Sequence, residues 1–472
     1  MLANQVIAQS GVSFGTSGAR GLVKDFSADV CAAFTVAFLD AVKTGANFNR
    51  LAIAIDNRPS SYFMAQACAA VLKQFDIEAV YYGVIPTPAL AYKAMQDGMP
   101  AIMVTGSHIP FDRNGLKFYR PDGEISKDDE LAIVSSSTSF TSIETMLEAL
   151  HVDNSAAEAY VKRYSSLFSA DALKGKKIGI YEHSSAGRDI YKQLFELLGA
   201  EVTSLERTDT FVPIDTEAVS AADQKKAIDW SAEYGFDAIF STDGDGDRPL
   251  IADEKGQWLR GDVLGLLCSQ LLKVEALAVP VSCNTAIEKS SSFKEVVRTK
   301  IGSPYVIAEF EKLAERNSSV AGFEANGGYL LASDMEVGNG TLKALPTRDA
   351  LLPAFVVLTQ EETLSQLVDG LPARYTASDR LQNFAREKSD SLINALIVNP
   401  LELVKFLGYS SVLSVNTIDG LRLTFSNDDV IHLRPSGNAP ELRCYVESCS
   451  EAKSSALVCK IITAVKNEIQ VK

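Results

Sequence analysis

A short apolar run that stops abruptly at a charged or glycine-rich loop, followed by a segment with helical spacing, recurs along most of this chain and constrains its fold more than any single motif. In the first round LAIAID (51–56) reads as a buried strand, 62–75 as a helix and EAVYYGVI (78–85) as a strand. Pro86 and Pro88 then break the chain, a helix follows, and AIMVTG (101–106) is another strand. In the second round KKIGIYEHSS (176–185) runs from strand into loop, 189–198 has helical spacing and AEVTSLE (200–206) is a strand. FDAIFSTDGDGDR (236–248) then runs from strand into a Gly/Asp loop. The third round has helical spacing over 261–274 and a strand in LAVPVSC (277–283), with the apolar stretches YVIAEF (305–310) and SVAGFEANGGYLL (319–331) beyond it. Strands alternating with helices form mostly parallel sheets, and ligands of such sheets gather at the carboxyl ends of the strands.

After about residue 370 the texture changes. TIDGLRLTFSNDDVIHLRPSGNAPELRCYVES (417–448) alternates apolar and polar residues around turn pairs such as Asp419-Gly420, which predicts antiparallel strands, and 452–468 reads as a closing helix. A chain of 472 residues exceeds one ordinary core. The expectation is an α/β protein of four domains. Three are α/β units with mixed, mostly parallel sheets at 1–155, 156–258 and 259–370, and the fourth is a C-terminal α+β unit at 371–472.

Composition narrows the function. With 45 basic against 60 acidic residues the net charge is −15, which argues against a nucleic-acid partner but not against small phosphorylated substrates held by a few local cations. No uncharged apolar run approaches the ~20 residues of a membrane span, and MLANQVIAQSGVSFG lacks the basic start and apolar core of a secretory leader. Seven scattered cysteines without a CxxC pair read as reduced, buried, inert thiols, so a cytoplasmic location is expected.

The loops carry the chemistry. VTGSHIPFDRNGLKFY (104–119) places Ser107 between Gly106 and His108 at a strand end, with Lys117 nearby. A hydroxyl there can accept a group while its neighbours orient it or move protons, although Ser and Gly also make plain turns. No acid completes a hydrolase triad and no GxSxG elbow surrounds the serine. STDGDGDRPL (241–250) sets Asp243, Asp245 and Asp247 at spacing two with glycines between them. Such hard oxygen donors suit Mg²⁺ or Ca²⁺ rather than zinc. An EF-hand loop needs Gly at its sixth position, where Arg248 stands followed by Pro249, and that reading fails. An ion on three protein carboxylates keeps a position open for a phosphate oxygen. GFEANGGYL (322–330) presents Glu324 and Asn326 either to sugar hydroxyls or in an ordinary hairpin turn. RPSGNAPELR (434–443) gathers Arg434, Ser436, Asn438 and Arg443 around Gly437, the cations and exposed N–H groups that a phosphate dianion needs. FGTSGARG (14–21) ends in Arg20, a cation that could stand beside a phosphoryl group.

In order and spacing these loops resemble the α-D-phosphohexomutase superfamily, which includes phosphoglucomutases, phosphomannomutases and phosphoglucosamine mutases. The resemblance covers nearly the whole chain, one loop per domain, and implies a central cleft. It implies that Ser107 carries the phosphoryl group as a phosphoserine, and that Asp243, Asp245 and Asp247 hold Mg²⁺ with an oxygen on Ser107 as a further ligand. Arg20 and Lys117 match positions that flank the transferring group, and His108 and Arg248 follow their loops as the family's do. Glu324, with Asn326, resembles the sugar reader, and Lys300 in RTKIGSPYVI (298–307) the basic substrate contact. Arg434, Ser436, Gly437, Asn438 and Arg443 match the loop that grips the phosphate not undergoing transfer. Three departures stand out. Gly106 and Ile109 replace the Ala and Asn of TASHNP, Asn326 replaces the serine of GExSG, and Asn438-Ala439-Pro440 replaces Thr-Glu-Pro after RPSG.

The activity so implied is an intramolecular phosphotransfer between hexose 1-phosphate and hexose 6-phosphate, through a bound hexose 1,6-bisphosphate that also serves as activator. FGTSGARG, HSSAGRD (183–189) and EANGG look most like phosphomannomutases, with phosphoglucomutase or dual specificity the runner-up. A Mg-dependent sugar phosphatase would not need both Arg20 and a distal grip, and a non-catalytic binder would not need Ser107 with three aspartates. A small-molecule sugar phosphate is the expected partner, with no membrane partner, for a monomer or homodimer.

Overall fold

The apolar runs fold as strands, and the short loops after them decide how each sheet is built. The computed structural model describes residues 1–15, 17–43, 48–143, 147–436 and 440–466. In the first sheet Glu78–Val84, Arg50–Ile55 and Ala101–Val104 lie parallel, linked by helices Ser61–Leu72 and Thr87–Gln96. The loop 105–112 is too brief for a parallel crossover, which needs roughly a dozen residues or more. The chain therefore reverses, Arg113–Arg120 runs antiparallel beside Ala101–Val104, and Ala19–Leu22 runs antiparallel beside Arg113–Arg120.

The same reversal recurs. Lys177–Tyr181 is parallel to Glu201–Leu205 and Ala238–Thr242, and loop 243–248 then returns the chain antiparallel as Pro249–Ala252. In the third sheet Ala276–Pro280 is parallel to Glu295–Thr299 and Val320–Phe323, and loop 324–328 returns it as Tyr329–Leu331. Each sheet thus has a parallel centre with an antiparallel flank that begins at a chemistry-bearing loop. The stretch YVIAEF folds as parts of two short helices, Ser303–Ile307 and Phe310–Ala314, with Pro304 in the first turn of the former. The fourth sheet is wholly antiparallel, in the order Tyr375–Gln382, Glu441–Ser448, Val430–Pro435, Leu421–Phe425, Val412–Asn416, with helices Arg386–Val398 and Glu451–Lys466 packed on it.

One apolar cluster runs from Ala52 through Tyr160, Phe240 and Leu277 to Leu364 and fuses the first three sheets into one body. At its centre the Phe355 ring lies 5.4 Å from that of Tyr164, 5.9 Å from Phe168 and 5.0 Å from Phe195. The fourth unit has a separate core around Leu423, Leu433, Leu442 and Ile461. Polar contacts tie it to the third. The Glu447 carboxylate accepts from Thr285 N–H at 2.9 Å, and Lys289 pairs with Asp428 at 3.1 Å. Interfaces of this kind permit relative motion of the parts they join. Cys31, Cys68, Cys268, Cys283 and Cys444 are buried free thiols, but Cys449 and Cys459 are exposed, so the expectation of burial fails for those two. Cys449 follows the last strand and Cys459 lies on the outer face of the closing helix. Among the described residues no helix is long and apolar enough to cross a membrane.

Replacing the buried Phe355 with Ala removes contacts to all three neighbouring rings and should cost about 3–5 kcal/mol. Denaturant unfolding should show residues 1–370 losing stability together, with the transition of the C-terminal unit unchanged. Separate shifts within the first three units would contradict a shared core.

Candidate active site

Ser107 follows the parallel strand Ala101–Val104 and is fully buried, with φ of 54°, a left-handed conformation uncommon for a residue with a side chain. A buried arginine holds its loop in that shape. Arg58 donates to the carbonyl oxygens of Ser107 (2.8 Å), Ile109 (2.5 Å), Pro110 (2.8 Å) and Arg113 (3.0 Å). Asp56 fixes Arg58 through Nε at 3.1 Å. It also accepts from the Thr105 hydroxyl at 2.7 Å, which in turn accepts from Ser107 N–H at 2.8 Å. The Arg58 guanidinium lies 4.0 Å from the ring centroid of Phe211, in the second unit. A Cβ on Gly106 would sit 2.6 Å from Arg58 Cζ, which explains a glycine where alanine is usual in the family the loop resembles.

The loop 243–248 meets Ser107 from the neighbouring sheet. Ser107 Oγ donates to Asp243 Oδ2 at 2.6 Å, an approach that depends on Gly244, whose Cβ would lie 2.8 Å from the Ser107 carbonyl oxygen. From Arg113–Arg120, Lys117 Nζ donates to Asp245 Oδ2 at 2.5 Å and to Asp247 Oδ2 at 2.6 Å. Thr87, the first residue of its helix, adds a hydroxyl bond to Asp245 Oδ2 at 2.6 Å. From the third sheet, Arg348 reaches Asp247 Oδ2 (3.0 Å), Glu324 Oε2 (3.1 Å) and Ser17 Oγ (3.1 Å). Arg248 donates to His108 Nδ1 at 2.7 Å and lies 3.9 Å from Asp243 and 3.7 Å from Asp247. The HSSAGRD stretch buttresses the loop from behind, with Ala186 N–H donating to the Gly244 carbonyl at 3.0 Å.

Burial and mutual repulsion dominate the electrostatics. Burial, then Asp245 and Asp247, push the Asp243 carboxyl well above the carboxylate range. Burial would raise Asp245 too, but Lys117 outweighs it and holds that group well below its ordinary value; for Asp247, Arg348 does the same. Burial, and then Arg248, draws the His108 imidazole down to about 3, so at neutral pH it is uncharged and accepts the Arg248 proton at Nδ1. Burial with Arg248 brings Arg20 to about 10, still a cation at neutral pH.

This donor set fits a hard divalent cation. The ligand atoms of Asp243, Asp245 and Asp247 lie within 4.8 Å of one another. Among the described residues nothing donates a hydrogen bond to the buried Asp245 Oδ1 or Asp247 Oδ1, although Oδ2 of each is fully engaged. Two orphaned carboxylate oxygens in a dry pocket are what a Mg²⁺ site leaves free, and with no Cys or His in the cluster zinc is disfavoured.

The structure brings together Ser107, His108, Lys117, Asp243, Asp245, Asp247, Arg248 and Glu324, with Arg20 in the field of the same aspartates. Asn326 Oδ1 accepts from Gly328 N–H at 3.0 Å and its carbonyl oxygen accepts from Thr216 at 2.8 Å, so this residue also shapes the turn. Lys300 is exposed, its Nζ 5.6 Å from the Tyr305 ring centroid. Arg434 and Arg443 face each other across paired strands of the fourth sheet, and Ser436 is buried at the end of one of them. Gly437 and Asn438 lie outside the described residues. Asp215 and Glu217, in the second unit, line one pocket with Arg443, Ser378 and Tyr445 of the fourth. Arg58, Thr87 and Arg348 were not read from sequence as site residues. The signal for Arg348 was a charged pair, Arg348-Asp349, just before the apolar helix Leu351–Leu358; Thr87 lay in the Pro-Thr-Pro break.

Comparison with known proteins agrees with this geometry. Residues 11–143, 158–256 and 260–375 match the family models "Phosphoglucomutase/phosphomannomutase, alpha/beta/alpha" domains I, II and III, and residues 381–464 match the C-terminal domain of the same family. The chain is 58% identical over 468 residues to a phosphomannomutase of Salmonella muenchen, covering 98% of each chain. It is 43% identical over 454 residues to a phosphomannomutase of Sinorhizobium fredii (strain NBRC 101917 / NGR234), covering 93% of this chain and 95% of that one. Its fold matches the crystal structure of a phosphoglucomutase/phosphomannomutase family protein from Burkholderia thailandensis, with a TM-score of 0.76, 21% identity, and 99% and 98% of the two chains covered.

Two outcomes follow from the geometry. Arg58→Ala should loosen the Ser107 loop and lower kcat by about 10²-fold, the order expected when a reacting group drifts by ~1 Å, while Mg²⁺ affinity stays near the parent value. Equal kcat in the two proteins would show that the clasp is dispensable. A carboxyl held above its ordinary range, as at Asp243, binds a cation less readily as pH falls, so Mg²⁺ binding should release protons and tighten as pH rises. Calorimetry in buffers of different ionisation enthalpy reads this directly, and a buffer-independent enthalpy would contradict it.

Proposed function

The chain belongs to the phosphoglucomutase/phosphomannomutase family and is a phosphohexomutase, and we propose that it interconverts mannose 1-phosphate and mannose 6-phosphate through a phosphoserine at Ser107. The observation that carries the reading is Ser107 Oγ, buried and 2.6 Å from the first of three clustered carboxylates, with Lys117 bridging the other two. A lone serine in an acidic pocket is a poor nucleophile. Once phosphorylated it is a donor, and its added negative charge beside three aspartates is tolerable only with a cation present. Bound there, Mg²⁺ would supply positive charge against the phosphoryl oxygens.

The chain's own residues do the rest. Asp243, Asp245 and Asp247 would hold the metal, with Thr87, Lys117 and Arg348 occupying the other oxygens of Asp245 and Asp247 and so fixing their orientation. The bond between Ser107 Oγ and phosphorus breaks as a sugar hydroxyl oxygen bonds to that phosphorus, giving the hexose 1,6-bisphosphate. The hydroxyl proton ends on Ser107 Oγ, the oxygen that the phosphoryl group leaves, and the Lys117 ammonium, held by Asp245 and Asp247, offsets charge on the group in flight. Arg20 offsets charge on the group in flight. Neutral His108, held by Arg248, orients rather than titrates at neutral pH. Glu324, oriented by Arg348, accepts from sugar hydroxyls, and Lys300 on the cleft rim meets the substrate. Arg434, Ser436, Gly437, Asn438 and Arg443 would hold the other phosphate while the intermediate turns over and returns its second phosphoryl group to Ser107.

Mannose is favoured because two relatives, at 58% and 43% identity, carry that name. The experiment is a coupled assay of mannose 1-phosphate and glucose 1-phosphate beside an assay of released phosphate. The mannose substrate should be converted with the higher kcat/KM and phosphate should stay at background. Preference for glucose would overturn the substrate, and stoichiometric phosphate release would overturn the mutase.

A further inference from the structure

Asp419 belongs to neither the serine loop nor the metal loop, yet it is held at three points. It stands between strands Val412–Asn416 and Leu421–Phe425, at the turn Asp419-Gly420. Its Oδ1 accepts Nε of Arg434 at 2.8 Å, its Oδ2 accepts the N–H of Ile301 at 3.0 Å, and its carbonyl oxygen meets His432 Nε2 at 2.6 Å. Burial draws the His432 imidazole down to about 4, so at neutral pH it is uncharged and gives its Nε2 proton to that carbonyl. The Asp419 and Arg434 side chains are only 17% and 12% exposed, so salt screens this pair weakly.

The two side-chain partners belong to different domains and different tasks. Arg434 opens the segment read above as the distal phosphate grip. Ile301 follows Lys300 on the third domain, and two residues later the Ser303 hydroxyl donates to Glu124 at 2.7 Å. The other Glu124 oxygen accepts from Thr347 at 2.8 Å, next in sequence to Arg348 of the metal loop's cation set. One carboxylate therefore fixes the plane of a phosphate-binding guanidinium and fastens that guanidinium's domain to the cleft wall.

We infer that Asp419 is a positioning residue that makes the distal phosphate grip conditional on closure of the fourth domain onto the third. The inference rests on the reading of 434–443 as that grip. With the cleft closed, Ile301 N–H occupies one oxygen, Asp419 meets Arg434 through Nε alone, and the guanidinium presents its terminal nitrogens to phosphate. When the domain swings away, Ile301 is lost and both oxygens of Asp419 become available to Arg434. A bidentate carboxylate is a strong competitor for the guanidinium. Opening would thus weaken the hold on phosphate and closure would restore it, which lets the enzyme retain its bisphosphate intermediate during turnover and release its product afterwards.

The test uses full-length Asp419→Asn, Asp419→Ala and Arg434→Ala. Hydrogen exchange without substrate should show the Ile301 amide exchanging about tenfold faster in Asp419→Ala, the loss expected for one hydrogen bond to a charged acceptor, but not in Arg434→Ala. In turnover, Asp419→Asn, which keeps the shape but not the competing charge, should lower KM and release several-fold less hexose 1,6-bisphosphate per product formed, because opening no longer loosens the grip. Unchanged Ile301 exchange in Asp419→Ala, or unchanged KM and intermediate release in both Asp419 variants beside a raised KM in Arg434→Ala, would overturn the inference and leave the grip standing. A flat KM in Arg434→Ala would instead sink the grip itself, and the inference with it.

Discussion

Three aspartates closed off from water in one short loop set the terms for the rest of this molecule. Asp243, Asp245 and Asp247 are each fully buried, and no isolated set of charges survives such burial. The first unit answers with Lys117 and Thr87, the third with Arg348, and the loop itself with Arg248. The balance remains incomplete: two carboxylate oxygens accept nothing from the described residues, and Asp243 is pushed toward its protonated form. That deficit is the chemical reason these carboxylates could hold a divalent cation, and their partners come from sheets that the shared apolar core packs as one body.

The fold supplies this convergence by a repeated device. In each of the first three sheets a parallel strand ends at a loop too short to cross over, so the chain reverses and the loop is left at the strand's carboxyl end, pinned at both sides. Loops so short have little freedom, which places side chains more securely than a long excursion would. The fused core of the first three units holds the chemistry still, while the polar junction with the fourth leaves one wall of the cleft able to move.

Much of this was legible in the sequence because it is local. Apolar runs such as LAIAID and KKIGIY revealed their strands, DGDGDR its ligands, and the order of loops the family. What the sequence concealed depends on contacts between distant segments. Arg58 looks like a loop residue until its guanidinium is seen against carbonyls some fifty positions away, between 49 and 55 in separation. Arg348 closes a gap of 101 residues to Asp247. Asn326 was open to either a sugar contact or an ordinary hairpin turn, and the bond from Gly328 N–H to its acceptor oxygen is a detail that spacing cannot reveal. The sheet flanks were hidden for a similar reason, since Arg113–Arg120 is polar enough to read as loop until its pairing with Ala101–Val104 is known.

The central claim is that phosphoryl groups pass through Ser107, and a single-turnover label transfer tests it most directly. Enzyme carrying radiolabelled phosphate at Ser107 is mixed with excess unlabelled mannose 1-phosphate, and label is followed on protein and sugar by rapid quench. The account predicts that label leaves Ser107 and enters the sugar at least as fast as product forms. Product forming at the normal rate while the label stays on Ser107 would contradict it.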